Sequence, residues 1–274
     1  MGTGTLILVG CGQMGSAMLR GWVSGAAARR FAVVEPAGAP AALAPGPEIP
    51  VGEISWHKAA ADLPGDLSPD AVVFAVKPQV VDDVLPPYRR WARPQTVFMS
   101  IAAGTTIAKL ARHLGDAAIV RAMPNTPAAI GRAITVACAN PLVTAAQREL
   151  CEALLAAIGE SAWVADEALM DAVTAVSGSG PAYVFLLIEA LAEAGTKAGL
   201  PADLALRLAR ATVAGSGELA RLSPESPARL RENVTSPGGT TRAALDVLMG
   251  EGGLAPLMER AIAAATRRSR ELAG

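Results

Sequence analysis

A glycine-rich hexapeptide near the amino terminus constrains the fold of this chain more than any other feature. Gly10-Cys11-Gly12-Gln13-Met14-Gly15 matches G-x-G-x-x-G, follows an apolar strand-like run and precedes a helix-compatible segment. In such a unit Gly10 permits a tight turn, Gly12 lets the backbone approach a diphosphate, and Gly15 lets the helix pack on the strand. The helix N-terminus, including Gln13 and Met14, then presents free N–H groups to the anion. The hexapeptide therefore predicts a dinucleotide-binding unit of the kind that nicotinamide-dependent oxidoreductases contain.

An acidic residue follows the second apolar run of the chain. Glu35 lies twenty positions after Gly15. A carboxylate at this point can accept hydrogen bonds from the adenine ribose hydroxyls, and it would repel a 2′-phosphate. We therefore expect NADPH or NADH as the cofactor, with NADH binding at least as well as NADPH. A loop glutamate without any ligand is the alternative.

The first half of the chain alternates short apolar runs with helical segments. The runs lack period-two alternation, which is typical of a parallel sheet covered on both faces. The candidate strands are Thr5–Val9, Phe31–Val34, Ala71–Val76, Thr96–Ile101, Ile119–Met123, Ile134–Cys138 and Ser161–Val164. The clearest helices between them are Ser16–Ser24 and Thr106–Leu114, and a further helix is expected over Thr144–Ile158, with Thr144 and Gln147 at capping-box spacing. This order predicts an α/β domain with a Rossmann-type, doubly wound parallel sheet, in which residues 36–69 form a poorly regular crossover.

The second half changes character. From Asp166 onward the sequence predicts helices without strands. The expected helices are Ala182–Lys197, Asp203–Leu222, Pro227–Asn233, Thr241–Met249 and Leu254–Leu272. We therefore expect a dinucleotide-binding domain over residues 1–165 and an all-α domain over residues 166–274.

Composition limits the classes of partner. The 24 basic and 25 acidic residues among 274 leave a net charge of −1, which argues against nucleic acid as a partner. Cys11, Cys138 and Cys151 lie far apart, so we expect buried thiols in a reducing compartment and no metal site. The N-terminus lacks signal-peptide features, and the longest uncharged stretch, 172–188, is shorter than the ~20 apolar residues of a membrane span. A cytoplasmic protein without membrane association is expected.

Four further segments combine residue types that suit ligand binding. AVKPQ at 75–79 and MPNTP at 123–127 follow strands, at the carboxyl edge where such sheets bind ligands. SGSGPAY at 177–183 permits close backbone approach, either in core packing or at a nicotinamide ring. TSPGGTT at 235–241 precedes a helix, so its N–H groups and the helix dipole can hold a carboxylate. An elaborate helix cap is the alternative for this last loop.

Together, in this order, the five segments resemble the 1-pyrroline-5-carboxylate reductase family of the last step of proline biosynthesis. The resemblance implies reduction of 1-pyrroline-5-carboxylate to L-proline by hydride transfer from NAD(P)H. It also implies a helical dimerisation domain, a homodimer or a larger ring of dimers, and an active site that includes helices of the partner subunit. Members often carry an asparagine before the third strand that contacts the adenosine ribose, whereas residues 48–69 contain no Asn.

The resemblance also implies roles for individual residues. Ser236, Gly239 and Thr240 would hold the substrate carboxylate, and the Thr241 hydroxyl would be the catalytic donor at the ring nitrogen. The residues implied for the cofactor cleft are Val76, Lys77, Pro78, Asn125 and Ala103. For Lys77, a solvated loop lysine is the alternative.

Two rival interpretations remain open at this stage. A β-hydroxyacid dehydrogenase would share the amino-terminal half but needs a general acid/base, for which Lys197 is the candidate. Lys197 lies between Thr196 and Ala198, near Gly199 at the end of a predicted helix. A non-catalytic nucleotide sensor would have no need for the hydroxyl-rich loop. His57 and His113, the two histidines, are expected to be structural or solvated.

Overall fold

An eight-stranded sheet organises the amino-terminal part of the computed structural model, which describes residues 4–25, 27–28, 30–43 and 54–273. The strands are β1 Thr5–Val9, β2 Arg30–Val34, β3 Ile54–His57, β4 Ala71–Phe74, β5 Val97–Ser100, β6 Ala118–Met123, β7 Ala133–Ala139 and β8 Gly159–Trp163. Their spatial order is β3-β2-β1-β4-β5-β6-β7-β8. The order reverses direction between β1 and β4, so the carboxyl ends of these two strands flank a crevice in which such sheets bind ligands.

The predicted Rossmann-type sheet is confirmed, with one difference in strand direction. All neighbouring strands pair in parallel except β6 and β7, which pair antiparallel through Val120–Ala139 to Met123–Val136. Only residues 124–132 separate these two strands, and a parallel return would need a crossover of a dozen or more residues.

Both faces of the sheet are buried. Along β1, Leu6 and Leu8 belong to one apolar cluster, whereas Ile7 and Val9 belong to the cluster on the opposite face. Successive strand residues point to opposite faces, so a sheet covered on both sides needs apolar residues at every position. The continuous apolar runs of the sequence follow from this arrangement.

Ten α-helices occur in the described part of the chain. They are α1 Gln13–Ser24, α2 Val81–Val84, α3 Ile107–Leu114, α4 Ala145–Ala156, α5 Met170–Val173, α6 Gly180–Lys197, α7 Ala202–Leu222, α8 Pro227–Asn233, α9 Thr240–Leu248 and α10 Leu254–Ala273. The capping box predicted at the start of α4 is present. Thr144 Oγ1 accepts from the Gln147 N–H at 3.3 Å, and Gln147 Oε1 accepts from the Thr144 N–H at 3.0 Å.

The expected irregular crossover between residues 36 and 69 is partly wrong. It contains β3, which pairs in parallel with β2 from Phe31–Ile54 to Val34–His57. The strand has only four residues, Ile-Ser-Trp-His, and its half-exposed position at the sheet edge removes the apolar signal on which strand prediction depends. Residues 44–53 of this crossover lie outside the described residues.

The chain divides into two compact units. The first contains the residues up to Gly178 together with those from Ala265 onward, and the second contains Ser179–Ala264. The boundary that the sequence suggests at residue 165 marks the end of the strands and stays a prediction for independently folding domains.

One helical run is long and apolar enough to cross a membrane by length and composition alone. It covers Glu167–Lys197, 31 residues with a mean hydropathy of 1.4. Within this run, Thr174–Gly178 form a π-helical turn, and Pro181 occupies the first turn of α6, where proline is tolerated. Length and composition are weak evidence, since helices of soluble proteins pass the same test. The absence of a membrane span stays a prediction.

Candidate active site

Two glycines of the dinucleotide loop lie against backbone. Gly10 adopts φ +89°, and a Cβ added to it would lie 2.7 Å from the carbonyl oxygen of Ala75, which follows β4. A Cβ added to Gly15 would collide with the Gly10 carbonyl oxygen. The loop and α1 can therefore approach each other and β4 only because these two residues lack side chains.

The middle glycine faces open space. A Cβ added to Gly12 would meet no atom within 4 Å, and Gly12 is the N-cap of α1. Within the described residues, α1 has no side-chain cap and no acidic residue in its first turn. Uncapped N–H groups and the positive end of a twelve-residue helix thus lie beside a glycine that has no side chain, which is the arrangement that a diphosphate requires.

Glu35 lies directly beside this loop. Its Oε2 accepts the Cys11 N–H at 2.7 Å, and its Oε1 accepts the Ala37 N–H at 3.2 Å. The residue lines a cavity of 510 Å³, together with Gly10, Gly12, Val76 and Lys77. The structure therefore places Glu35 at the position expected of a residue that contacts an adenine ribose.

A second cavity, of 460 Å³, lies along the carboxyl ends of β4, β5 and β6. Eight of the predicted cofactor residues line it: Gly12, Gln13, Met14, Val76, Lys77, Pro78, Ala103 and Asn125. The two cavities share Gly12, Val76 and Lys77, so they form neighbouring parts of one cleft. The structure thus brings together the cofactor residues implied by separate motifs.

Asn125 is held with its amide in a defined orientation. Its Oδ1 accepts the Ile134 N–H at 3.1 Å, at the start of β7. The Nδ2 end of the side chain is the one left to donate to a ligand in the cavity that Asn125 lines. The Lys77 side chain is exposed at the same cleft.

The loop that carries Ala103 packs against the last turn of α10. Gly104 has φ +71°, and a Cβ added there would lie 3.3 Å from Leu272 Cβ. The adjacent Ala103 lines the second cavity. The end of α10 therefore supports a wall of the cleft.

A buried arginine near the end of α10 was not identified from the sequence. Arg121 of β6 is 4% exposed, and its Nη1 donates to Glu167 Oε1 at 2.9 Å. Asp171 Oδ1 lies 4.0 Å from Arg121 Nη2 and accepts from Ser269 Oγ of α10 at 2.7 Å. A lone arginine in the apolar run AIVRAM was the available signal for this cluster.

The SGSGPAY segment contributes to the cleft as well as to packing. Gly178 lines the second cavity, and the Met123 side chain occupies the space where a Cβ of Gly178 would lie. Within the described chain, Ser177 Oγ is buried without a hydrogen-bond partner. Close packing therefore occurs at Gly178, which also lines the cavity, and its approach to a nicotinamide ring stays a prediction.

The hydroxyl-rich loop belongs to the second unit. Gly238 has φ +70°, and the Gly239 N–H donates to the Ser236 carbonyl at 3.1 Å, which closes a turn before α9. Thr240 begins α9 and Thr241 follows in its first turn. Within the described residues no side chain caps α9, so the alternative of an elaborate hydroxyl cap is not supported.

The cysteines are not suited to nucleophilic chemistry. All three thiols are free and buried, as predicted. Burial raises the pKa of the Cys11 thiol, and it raises the pKa of Cys151 to about 12. The thiolate is the reactive form, so little of it exists near neutral pH.

Neither histidine lines the two cavities of the cleft. His57 Nε2 lies 3.0 Å from Ser55 Oγ. His113 Nε2 contacts Asp82 Oδ1 at 2.8 Å, a carboxylate partner that the sequence did not reveal, and this contact lowers the pKa of the exposed Asp82. Among the described residues, no cluster of three His, Cys, Asp or Glu side chains could hold a metal ion.

Comparison with known proteins identifies the family. Residues 167–272 match the model of the pyrroline-5-carboxylate reductase dimerisation domain. The pyrroline-5-carboxylate reductase of Pseudomonas aeruginosa is 40% identical over 100% of this chain and 98% of its own, and that of Pisum sativum is 44% identical over 74% of each. The chain belongs to the pyrroline-5-carboxylate reductase family.

Solved structures of this reductase family share the whole fold. The reductase of Coxiella burnetii has a TM-score of 0.86 at 31% identity over 99% of both chains. The Plasmodium falciparum pyrroline carboxylate reductase, solved with NADP bound, has a TM-score of 0.81 at 29% identity over 100% of both chains. A Rossmann-type sheet followed by helices is thus common to the reductase family and this chain.

Proposed function

We propose that this chain reduces 1-pyrroline-5-carboxylate to L-proline, using NADH or NADPH, in the final step of proline biosynthesis. The observation that supports it best is that two loops, each at the start of a helix, can bind an anionic group. The Gly12 cradle at the start of α1 suits a diphosphate, and the uncapped start of α9 suits a carboxylate. The substrate and the cofactor carry these two anionic groups.

The dinucleotide cleft binds and orients the cofactor. N–H groups at the start of α1 hold the diphosphate, Lys77 supplies a cation at the cleft, and the Asn125 amide donates from its Nδ2. Bound there, the reduced nicotinamide supplies a hydride to the imine carbon. Ala103 and Gly178 leave room for the nicotinamide ring at this side of the cleft, because neither has a bulky side chain.

The hydroxyl-rich loop binds the substrate. The Thr240 N–H and the Ser236 hydroxyl hold the substrate carboxylate, aided by the dipole of α9, and Gly239 contributes because it has no side chain where the Ser236 hydroxyl lies. The Thr241 hydroxyl donates a hydrogen bond to the ring nitrogen, and the proton of the new N–H of proline comes from water, so that the hydroxyl stays protonated. The reaction needs placement and one donor rather than a histidine base, in agreement with a cleft that neither histidine lines.

The helical unit supports assembly into homodimers or rings of dimers. In the single chain, α6 exposes five large apolar side chains, namely Val184, Phe185, Leu186, Leu187 and Leu191. An exposed apolar patch of this kind marks an interaction surface, and it lies within the residues that match the dimerisation domain. A partner's helices would then complete the active site.

A cytoplasmic location without membrane or nucleic-acid partners completes the proposal, supported by the three free thiols and the near-neutral net charge.

Cofactor oxidation with two cyclic imines tests the activity. The loss of nicotinamide absorbance should be rapid with pyrroline-5-carboxylate and slower with pyrroline-2-carboxylate, with L-proline as the product of the first. Oxidation of β-hydroxyacids, or binding of cofactor without turnover of either imine, would instead favour the dehydrogenase or sensor interpretations.

Two substitutions separate the roles of the loop hydroxyls. Thr241→Ala should lower kcat by roughly 10- to 1000-fold, comparable to the loss of one transition-state donor, whereas Thr241→Ser should keep most of the rate. Ser236→Ala should mainly raise KM because it weakens carboxylate binding. An unchanged kcat and kcat/KM in Thr241→Ala would remove Thr241 from the mechanism.

A further inference from the structure

We infer that Glu35, together with a connection after β2 that lacks side-chain donors, makes this enzyme select NADH over NADPH. The inference depends on the proposed use of the dinucleotide cleft and specifies which of the two cofactors that cleft accepts.

The carboxylate of Glu35 is fixed in place. One of its oxygens accepts the Cys11 N–H at 2.7 Å, and the other accepts the Ala37 N–H at 3.2 Å. The two donors belong to different segments, the dinucleotide loop and the turn after β2. Hydrogen bonds to a carboxylate are among the stronger ones in proteins, so the group is held at the cavity wall and does not swing away from an incoming phosphate.

The position of this carboxylate opposes a 2′-phosphate. It lines the 510 Å³ cavity next to Gly12, at the end of β2, where the ribose hydroxyls of an adenosine are recognised in folds of this type. Carboxylate oxygens accept from the two hydroxyls of NADH. A phosphate at the same place would bring two negative groups together without any donor between them.

The sequence of the segment after Glu35 offers no side-chain donor that could offset that repulsion. Residues 36–54, PAGAPAALAPGPEIPVGEI, include no Lys, Arg, His, Ser, Thr, Asn, Gln, Tyr or Trp. Recognition of a 2′-phosphate in this fold depends on an arginine or other donor near the end of β2. The two charged residues of the segment, Glu48 and Glu53, are acidic.

Two lysines line the same cavity, and a lysine there could attract the 2′-phosphate of NADPH. Lys58 follows β3, the neighbour of β2, and Lys77 follows β4. Lys77 also lines the second cavity, which assigns it to the diphosphate and nicotinamide side. Lys58 is therefore the group that would have to hold a 2′-phosphate if NADPH were preferred, and it has to do so opposite a fixed carboxylate.

Equilibrium titration of the full chain with each cofactor, without substrate and followed by nicotinamide fluorescence, tests the inference. The wild type should bind NADH about tenfold or more tightly than NADPH. Glu35→Gln keeps the size and an acceptor for the Cys11 N–H but removes the charge, and it should reduce the ratio of the two Kd values by about tenfold. Asp83→Asn is the matched control, because Asp83 is an exposed carboxylate lining the same cavity, and its ratio should stay that of the wild type.

The possible results separate the inference from the proposed function. Equal binding of both cofactors by the wild type, or an unchanged ratio in Glu35→Gln, would overturn the selection by Glu35 and leave the cofactor site intact. Lys58→Ala should preserve the NADH preference, and a wild type that prefers NADPH until Lys58 is removed would also overturn the inference. Failure to bind either cofactor would instead contradict the proposed function.

Discussion

The glycines of the dinucleotide loop show how one residue type serves different purposes within six positions. Gly10 and Gly15 are required by the protein itself, since added Cβ atoms would meet backbone carbonyl oxygens. Gly12 is surrounded by open space and has no such internal requirement. Its lack of a side chain therefore benefits a ligand.

Substitutions of Gly12 and Gly15 should affect different properties: NADH binding for Gly12 and stability for Gly15. Gly12→Ala should leave the melting temperature nearly unchanged but weaken NADH binding by about tenfold or more, because the methyl group occupies the space for the diphosphate. Gly15→Ala should lower the stability by about 1–3 kcal/mol, because its Cβ overlaps the Gly10 carbonyl. Thermal unfolding and NADH titration of both variants provide the measurements. Wild-type NADH affinity in Gly12→Ala would contradict the assignment of the cradle.

At this scale the sequence was informative where the chemistry is local. The turn glycines, the Thr144–Gln147 capping box and the free thiols could be predicted because each depends on a few neighbouring residues. The partners of Arg121 and His113 could not, because Glu167 and Asp82 are 46 and 31 positions away in the chain. Contacts across such separations are created by the fold.

At the scale of elements, the Arg121 cluster joins four elements of the first unit. It connects β6 to α5 and to the end of α10, while Glu167 Oε1 also accepts the Ile107 N–H at 2.8 Å at the start of α3. Burial of a charge is tolerable only when its partners are present, so these elements depend on one another.

Removal of the buried Arg121 guanidinium should lower the stability of the protein. Arg121→Met should lower the free energy of unfolding by about 3–5 kcal/mol, because Glu167 and Asp171 then lose their buried counter-charge. Arg229→Met, which removes an exposed ion pair with Glu232 on α8, is the control and should cost less than about 1 kcal/mol. Denaturant titration measures both. A cost for Arg121→Met as small as the control's would show that the cluster does not stabilise the fold.

Prediction of elements succeeded where burial was complete and failed at edges. The central strands are buried on both faces and appear in the sequence as continuous apolar runs. β3 lies at the sheet edge with two polar residues among four, and the antiparallel direction of β7 depends on its short connection to β6. The π-helical turn before α6 could not be predicted either, since glycine and proline usually end helices.

At the scale of the whole molecule, the exposed apolar side chains of α6 form the proposed interface with a partner subunit. Phe185 and Leu186 are 58% and 62% exposed in the single chain. Burial of such side chains against a partner contributes roughly 1.5–3 kcal/mol each, which favours association.

A charge placed among the exposed apolar side chains of α6 should separate the subunits. Phe185→Glu should shift the protein from dimers or larger rings toward monomers in light scattering, with a loss of activity if the partner's helices complete the active site. Glu193→Gln, an exposed change on the same helix, should preserve both the assembly and the activity. Wild-type assembly in Phe185→Glu would show that these side chains of α6 do not form the interface.

The course of α10 limits how such a protein can be divided or recombined. The polypeptide leaves the first unit after Gly178 and returns to it at Ala265, so that unit is discontinuous in the chain. A fragment ending at Gly178 would lose Ser269 beside Asp171 and Leu272 beside Gly104. An exchange of helical halves between relatives therefore needs two crossover points, and the final ten residues must be inherited with the nucleotide-binding half.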